Sequence, residues 1–254
     1  MTTHVYLDHG LTIFQTHLSS PAQPDSSGFN PGLNPFITLS RETGAGATTL
    51  GRQLLPVLNG LMGPEGPEWM FLDKNLLTHI LSKHHLPERL AEFLPEDRVS
   101  EIQGVIGELV GLHPSLWELQ QQIQRAILQI AGAGRVIFTG RAAHLITRGL
   151  PGGLNVRLVA PMESRIRRMQ ELLQCDAAAA KAHILKTDLA RSRYVKTLFN
   201  ADISDPHTYD LVINTDRMSP ATAAEVVINA LRGKMAELSS ATTSPVFFAS
   251  AGPA

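Results

Sequence analysis

Five short runs of aliphatic and β-branched residues constrain this chain more than any other feature. They are FITLS (36–40), WMFL (69–72), RVIFTG (135–140), LNVRLVA (154–160) and YDLVINT (209–215). The segments between them carry helical spacing, as in Leu50, Leu54, Leu55 and Leu58 after the first run, and Ala223, Val226, Val227 and Ala230 after the last. Strands without regular alternation, joined by helices, predict a parallel sheet covered on both faces. The expected fold is a three-layer α/β arrangement. Further helices are predicted over 75–83, 162–173 and 176–199, with a short one between the third and fourth strands that Gly149 and Pro151 end. Residues 87–131 hold no convincing strand, and Leu116, Leu119, Ile123, Ile127 and Ile130 predict a helical insertion there.

Residues 1–35 carry Pro21, Pro24, Pro31 and Pro35 among Ser, Asn and Gly without a sustained period, so a flexible N-terminal extension is expected. A flexible C-terminal tail is expected over 239–254, which leaves 36–238 as the folded domain. No run of 18 apolar residues exists, so no membrane-spanning helix is expected. The N-terminus lacks a basic segment followed by an apolar one, which points to the cytoplasm. The single cysteine, Cys175, excludes an internal disulfide, and the histidines do not fall in zinc-ligand spacing.

Net charge is −1, but residues 141–200 hold 11 of the 22 Lys and Arg against four acids, a local balance of +7. A local basic field suits a small anionic ligand. A nucleic-acid binder would be basic throughout, with aromatics interleaved, and only 6% of residues are aromatic.

The turn after the first strand reads Ser40-Arg41-Glu42-Thr43-Gly44-Ala45-Gly46-Ala47-Thr48-Thr49. In an open parallel sheet the site lies beyond the carboxyl ends of the strands. Gly44 and Gly46 allow positive φ, and the N–H groups of Ala47, Thr48 and Thr49 would open a helix and face an anion. Thr48 and Thr49 add hydroxyls suited to a cap or to Mg²⁺. The run differs from G-x-x-x-x-G-K-[ST] in having Ala47 for the Lys and Arg41 for the leading Gly, and Arg41 is a substitute cation. An ordinary glycine-rich strand–helix turn is the alternative.

ITLSRETGAGATTLGRQL, WMFLDKNLL, VIFTGRAAHLI, LNVRLVAPMESRIRRM, the Asp188-Leu-Ala-Arg191-Ser-Arg193-Tyr194 stretch and DPHTYDLVINTDRMS, taken in order, resemble the cytidylate kinase-like family, a divergent branch of the P-loop nucleoside monophosphate kinases. The resemblance runs from about 36 to 235. It implies a five-stranded parallel P-loop core, an acceptor-binding helical insertion and a basic lid. The family's phosphate loop reads Ser-Arg-x-x-Gly-Ser-Gly-Gly. Ser40, Arg41, Gly44 and Gly46 match, Ala45 and Ala47 depart, and Thr48 stands where an Arg is common.

By the same resemblance Asp73 falls where the family has an acceptor-side carboxylate, while capping the helix that follows is its ordinary alternative. Gly140-Arg141 stands where cytidylate kinases have Gly-Arg-Asp, with Ala142 in place of the Asp, so Arg141 is a candidate for the acceptor phosphate. Arg165 and Arg168 share a helix face that Arg167 leaves. Asp188, Arg191 and Tyr194 form one stripe that matches the lid helix. A solvated, salt-bridged helix is the alternative for that stripe.

The expected function is Mg²⁺-dependent transfer of the ATP γ-phosphoryl group to a nucleoside monophosphate or similar phosphorylated molecule. Gly44 to Thr49 would take the donor phosphates, Thr49 the metal, and Arg41, Arg141 and Arg191 the reacting charge, with Asp73, Arg165 and Asp188 on the acceptor side. The rival expectation is a nucleotide-binding sensor without turnover.

Overall fold

The computed structural model describes residues 34–61, 68–72 and 116–243. Asp73, the helix expected over 75–83, the first part of the insertion and most of both expected tails lie outside them. The elements are β1 (Phe36–Arg41), α1 (Ala47–Leu61), β2 (Met70–Leu72), α2 (Leu116–Ala133), β3 (Val136–Thr139), α3 (Ala143–Ile146), β4 (Gly153–Val159), α4 (Met162–Leu173), α5 (Ala177–Phe199), β5 (Leu211–Asn214) and α6 (Pro220–Thr243). All five predicted strands form, in one sheet of order β2-β3-β1-β4-β5 with every pairing parallel. The helix α6 runs on to Thr243, past the point where the sequence places a tail.

The two faces of the sheet differ in chemistry. On one, Ile37 and Leu39 of β1 and Leu154, Val156 and Leu158 of β4 pack against Leu50, Leu54 and Leu58 of α1 and Val227 and Leu231 of α6. Each of these fully buried leucines removes about 2 kcal/mol worth of apolar surface from water. On the other face β1 and β4 turn polar beyond Phe36 and Gly153. Thr38 pairs with Asn155 and Ser40 with Arg157 in the strand register. Both pairs are hydrogen-bonded, Thr38 Oγ1 to Asn155 Oδ1 at 2.7 Å and Arg157 Nη1 to Ser40 Oγ at 3.1 Å. The expectation of strands without alternation therefore holds for β3, which is buried throughout, while from Ile37 and Leu154 onward β1 and β4 alternate apolar with polar residues, of which Thr38, Ser40 and Arg157 are buried.

The polar face is covered partly by α3 and α5, through a small cluster of Ala142, Tyr194 and Val195. Asp176 caps α5 by accepting from the Ala179 N–H at 2.7 Å, so the helix begins where an Asp before an alanine run predicts it. At the entry to β5, the Asp210 carboxylate accepts from Asn155 N–H at 2.6 Å and from Lys234 Nζ at 2.9 Å, which ties β5 to β4 and α6.

Candidate active site

The turn after β1 has the backbone of an anion cradle. Gly44 and Gly46 stand at φ +81° and +84°, where an L side chain is strained. A Cβ on Gly46 would meet no atom within 4 Å, so the loop opens to free space there. The first intrahelical bond of α1 runs from Leu50 N–H to Gly46 O at 3.0 Å, and the N–H groups of Ala47, Thr48 and Thr49 precede it. Thr48 and Thr49 are exposed at this helix start, while Ala45 and Ala47 are buried beneath it.

The basic hairpin α4–α5 lies directly on this loop. Asp188 of α5 accepts from Thr43 through one oxygen, from the N–H at 2.8 Å and from the hydroxyl at 2.7 Å. Its other oxygen meets Arg165 Nη1 at 2.5 Å. Arg191 donates to Thr43 Oγ1 at 2.9 Å and stands 3.6 Å from Asp188. Arg168 reaches the Gly44 carbonyl at 3.2 Å and the Thr215 carbonyl at 2.7 Å, bridging the phosphate loop to the loop after β5. Arg167 turns away to Ser164, which bonds Asp216, as the spacing predicts. The Asp188–Arg191 stripe therefore faces the phosphate loop and is not a solvated surface pair.

Arg41 and Arg191 also border one small cavity of about 10 Å³ with Ser40, Gly140, His144 and Tyr194, room for about one water. Arg141 lies outside that lining. It sits in a left-handed turn with Gly140 and Ala142, at φ +57°, and is 3% exposed. Non-glycine residues in this region cost about 1 kcal/mol or more each, and two in succession after β3 mark a constrained turn at a strand's carboxyl end. Among the described residues no group of three or more His, Cys, Asp or Glu is placed to hold a metal ion, and no helix is long and apolar enough to cross a membrane.

Three positions, Thr43, Glu42 and Arg157, escaped the sequence reading. Thr43 sits between two predicted residues but bears the contacts of both Asp188 and Arg191. Glu42 accepts from the Ala160 N–H at 3.0 Å and stands 3.6 Å from Arg165. Tyr209 donates to the Ile203 carbonyl at 2.8 Å and lies 3.0 Å from Ser40 Oγ, with Arg157 5.7 Å from its ring centroid. It supports the end of β1. A charge inside LNVRLVA was the available signal, since a buried guanidinium must find partners.

His144 stacks on Tyr209, with centroids 4.6 Å apart and planes at 26°. Its Nε2 is buried with no hydrogen-bond partner among the described residues. Burial, and secondarily the Arg157 charge, lower its pKa from 6.5 to about 4. The unfolded chain then binds a proton that the folded protein refuses. Stability should fall as pH drops from about 6.5 to about 4, by roughly 3 kcal/mol from this group. A pH series of denaturant melts on wild type and His144→Phe should show the variant losing less stability over that window. Parallel curves would contradict the assignment.

A parallel 2-3-1-4-5 sheet, a glycine cradle after the first strand and an arginine-bearing helical hairpin laid on that cradle define a P-loop kinase fold. The profile of the cytidylate kinase-like family matches residues 36–217, and the chain belongs to this family of nucleotide-binding phosphotransferases. It is 25% identical over 154 residues to the cytidylate kinase of Methanocaldococcus jannaschii, spanning 60% of this chain and 86% of that one. It is 25% identical over 178 residues to the cytidylate kinase of Halobacterium salinarum, spanning 70% and 90%. The crystal structure of an uncharacterized protein from Eubacterium ventriosum aligns with a TM-score of 0.56 at 18% identity, over 78% of this chain and 98% of that one, a likeness of fold.

Proposed function

We propose that the protein moves the γ-phosphoryl group of ATP, with Mg²⁺, to a nucleoside monophosphate of the cytidylate type or a similar phosphorylated small molecule. The observation that carries this reading is the seating of the lid arginines on the phosphate loop through Thr43. Backbone N–H groups from Gly44 to Thr49 would hold the donor phosphates, and the exposed hydroxyl of Thr49, with Thr48 beside it, would hold the metal. Bound there, Mg²⁺ would supply positive charge against the phosphates.

In the reaction an oxygen of the acceptor phosphate attacks the γ-phosphorus, the bond to the β–γ bridging oxygen breaks, and ADP leaves. No enzyme nucleophile is required, so this chain's work is positioning and charge. Arg41, Arg141 and Arg191 are the residues we assign to the reacting charge, Arg141 also to the acceptor phosphate, and Asp73 with Arg165 and Asp188 to the acceptor side. Arg41 and Arg191 flank the loop that lacks a lysine, which supports them as its substitutes. We assign catalysis to a domain over 36–238 in the cytoplasm.

A second reading, a nucleotide-binding sensor without turnover, is favoured by one observation. Arg165 and Arg191 already face the Asp188 carboxylate, so part of the site's positive charge is engaged. Acceptor-dependent ADP release, screened with CMP, dCMP, UMP and AMP, separates the two. Turnover with any of them supports the enzyme. ATP binding without ADP release from any would establish the sensor.

A further inference from the structure

We propose that Thr43 is a positioning residue, whose hydroxyl holds Arg191 and Asp188 of the lid in register with the phosphate loop. The inference rests on the phosphotransfer reading above. Thr43 is 6% exposed, and all three of its polar atoms face the α4–α5 hairpin. Its N–H and its hydroxyl both meet Asp188 Oδ1, its Oγ1 meets Arg191 Nη1, and its carbonyl oxygen lies 3.4 Å from Arg165 Nη1.

The direction of these bonds is set by chemistry. An ionised carboxylate only accepts and a guanidinium only donates, so the Thr43 hydroxyl must give its proton to Asp188 and its lone pair to Arg191. Only a group that is donor and acceptor at once fits between them. The backbone that follows it is closely held. A Cβ on Gly44 would stand 2.9 Å from the Arg165 carbonyl oxygen, so loop and α4 meet at backbone distance. A shift of the loop is therefore transmitted to Arg191 through this hydroxyl, which is one of the contacts that place its guanidinium beside Asp188.

The test compares kcat and KM with ATP, Mg²⁺ and the acceptor that turns over. The proteins are wild type, Thr43→Val, Thr43→Ser, Arg191→Ala and the Thr43→Val/Arg191→Ala pair. Valine keeps the shape and loses the hydroxyl, so kcat should fall about 10- to 100-fold, the scale of a small misplacement, with the KM for ATP within about threefold. Serine keeps the hydroxyl and should stay within about threefold of wild-type kcat. Because Thr43 acts through Arg191, the double variant should be no slower than Arg191→Ala by more than about threefold.

A wild-type-like Thr43→Val, or a loss that multiplies in full on top of Arg191→Ala, overturns the role of Thr43 while leaving the phosphotransfer reading intact. A wild-type protein that turns over none of the acceptors overturns both. Circular dichroism checks that the variants fold, and Thr43→Ala takes the place of valine should that variant not fold.

Discussion

Replacing Arg191 with alanine is expected to lower kcat by about 10³-fold or more, on the scale of arginine fingers in phosphoryl transfer. The size follows from how little else the loop offers. Ala47 stands where a lysine would neutralise the phosphates, so cationic charge must come from Arg41 at the start of the loop or from other elements. We assign that role also to Arg191, whose Nη1 lies 2.9 Å from Thr43 Oγ1 and whose side chain borders the same cavity as Arg41. Steady-state kinetics on Arg191→Ala and Arg141→Ala decide the matter. Full phosphotransfer in both would show the assignment of reacting charge to be wrong.

The second large effect is expected at the cradle. Wild-type protein should bind ATP with Mg²⁺ at about 100 µM or tighter, near −5.5 kcal/mol, and Gly46→Asp should show no heat of binding by calorimetry. Sterics are not the cause, since a Cβ at Gly46 has open space around it. A carboxylate at the mouth of an anion site repels phosphate, and φ +84° adds strain of about 1 kcal/mol. Gly46→Ala carries that strain without the charge and should keep part of the affinity. Gly44→Ala should behave differently, because its Cβ would press on the backbone of Arg165 and displace the hairpin itself. Equal affinities in wild type and Gly46→Asp would remove the donor site from this loop.

Much of this could be read from residues alone. FITLS, RVIFTG and LNVRLVA announce buried strands because aliphatic and β-branched runs of that length have no other stable place in a globular chain. The glycine spacing at 44 and 46 announces the cradle because glycine, lacking a Cβ, takes positive φ without strain. The i, i+3 spacing of Asp188 and Arg191 puts them on one helix face, and of Arg165 and Arg168 on another. What such spacing leaves open is which element a face meets. Thr43 and Asp188 are 145 positions apart, and Ser40 and Arg157 are 117 apart. No local periodicity links such pairs.

The polar sheet face shows the same limit in a different way. Arg157 in the middle of β4 breaks an apolar run, and the run alone does not say where the charge goes. The register β1–β4 sets it beside Ser40, and the return of the chain to β5 brings Tyr209 up against both. His144 then stacks on that tyrosine and stays neutral, a property set by burial and by the Arg157 charge together.

Among the described residues the sequence by itself determined the strands and, apart from the end of α6, the helices, along with the glycine cradle and the excess of arginines that follow it, because backbone sterics, apolar period and charge are local properties. The tertiary structure decided that Arg165 and Arg191 seat on Thr43, that Asp188 engages Arg165 while Arg141 is buried in a left-handed turn, and that β1 and β4 carry polar residues on one sheet face. These depend on strand order and on how the α4–α5 hairpin lies across the carboxyl end of the sheet, which only the packing of distant segments fixes.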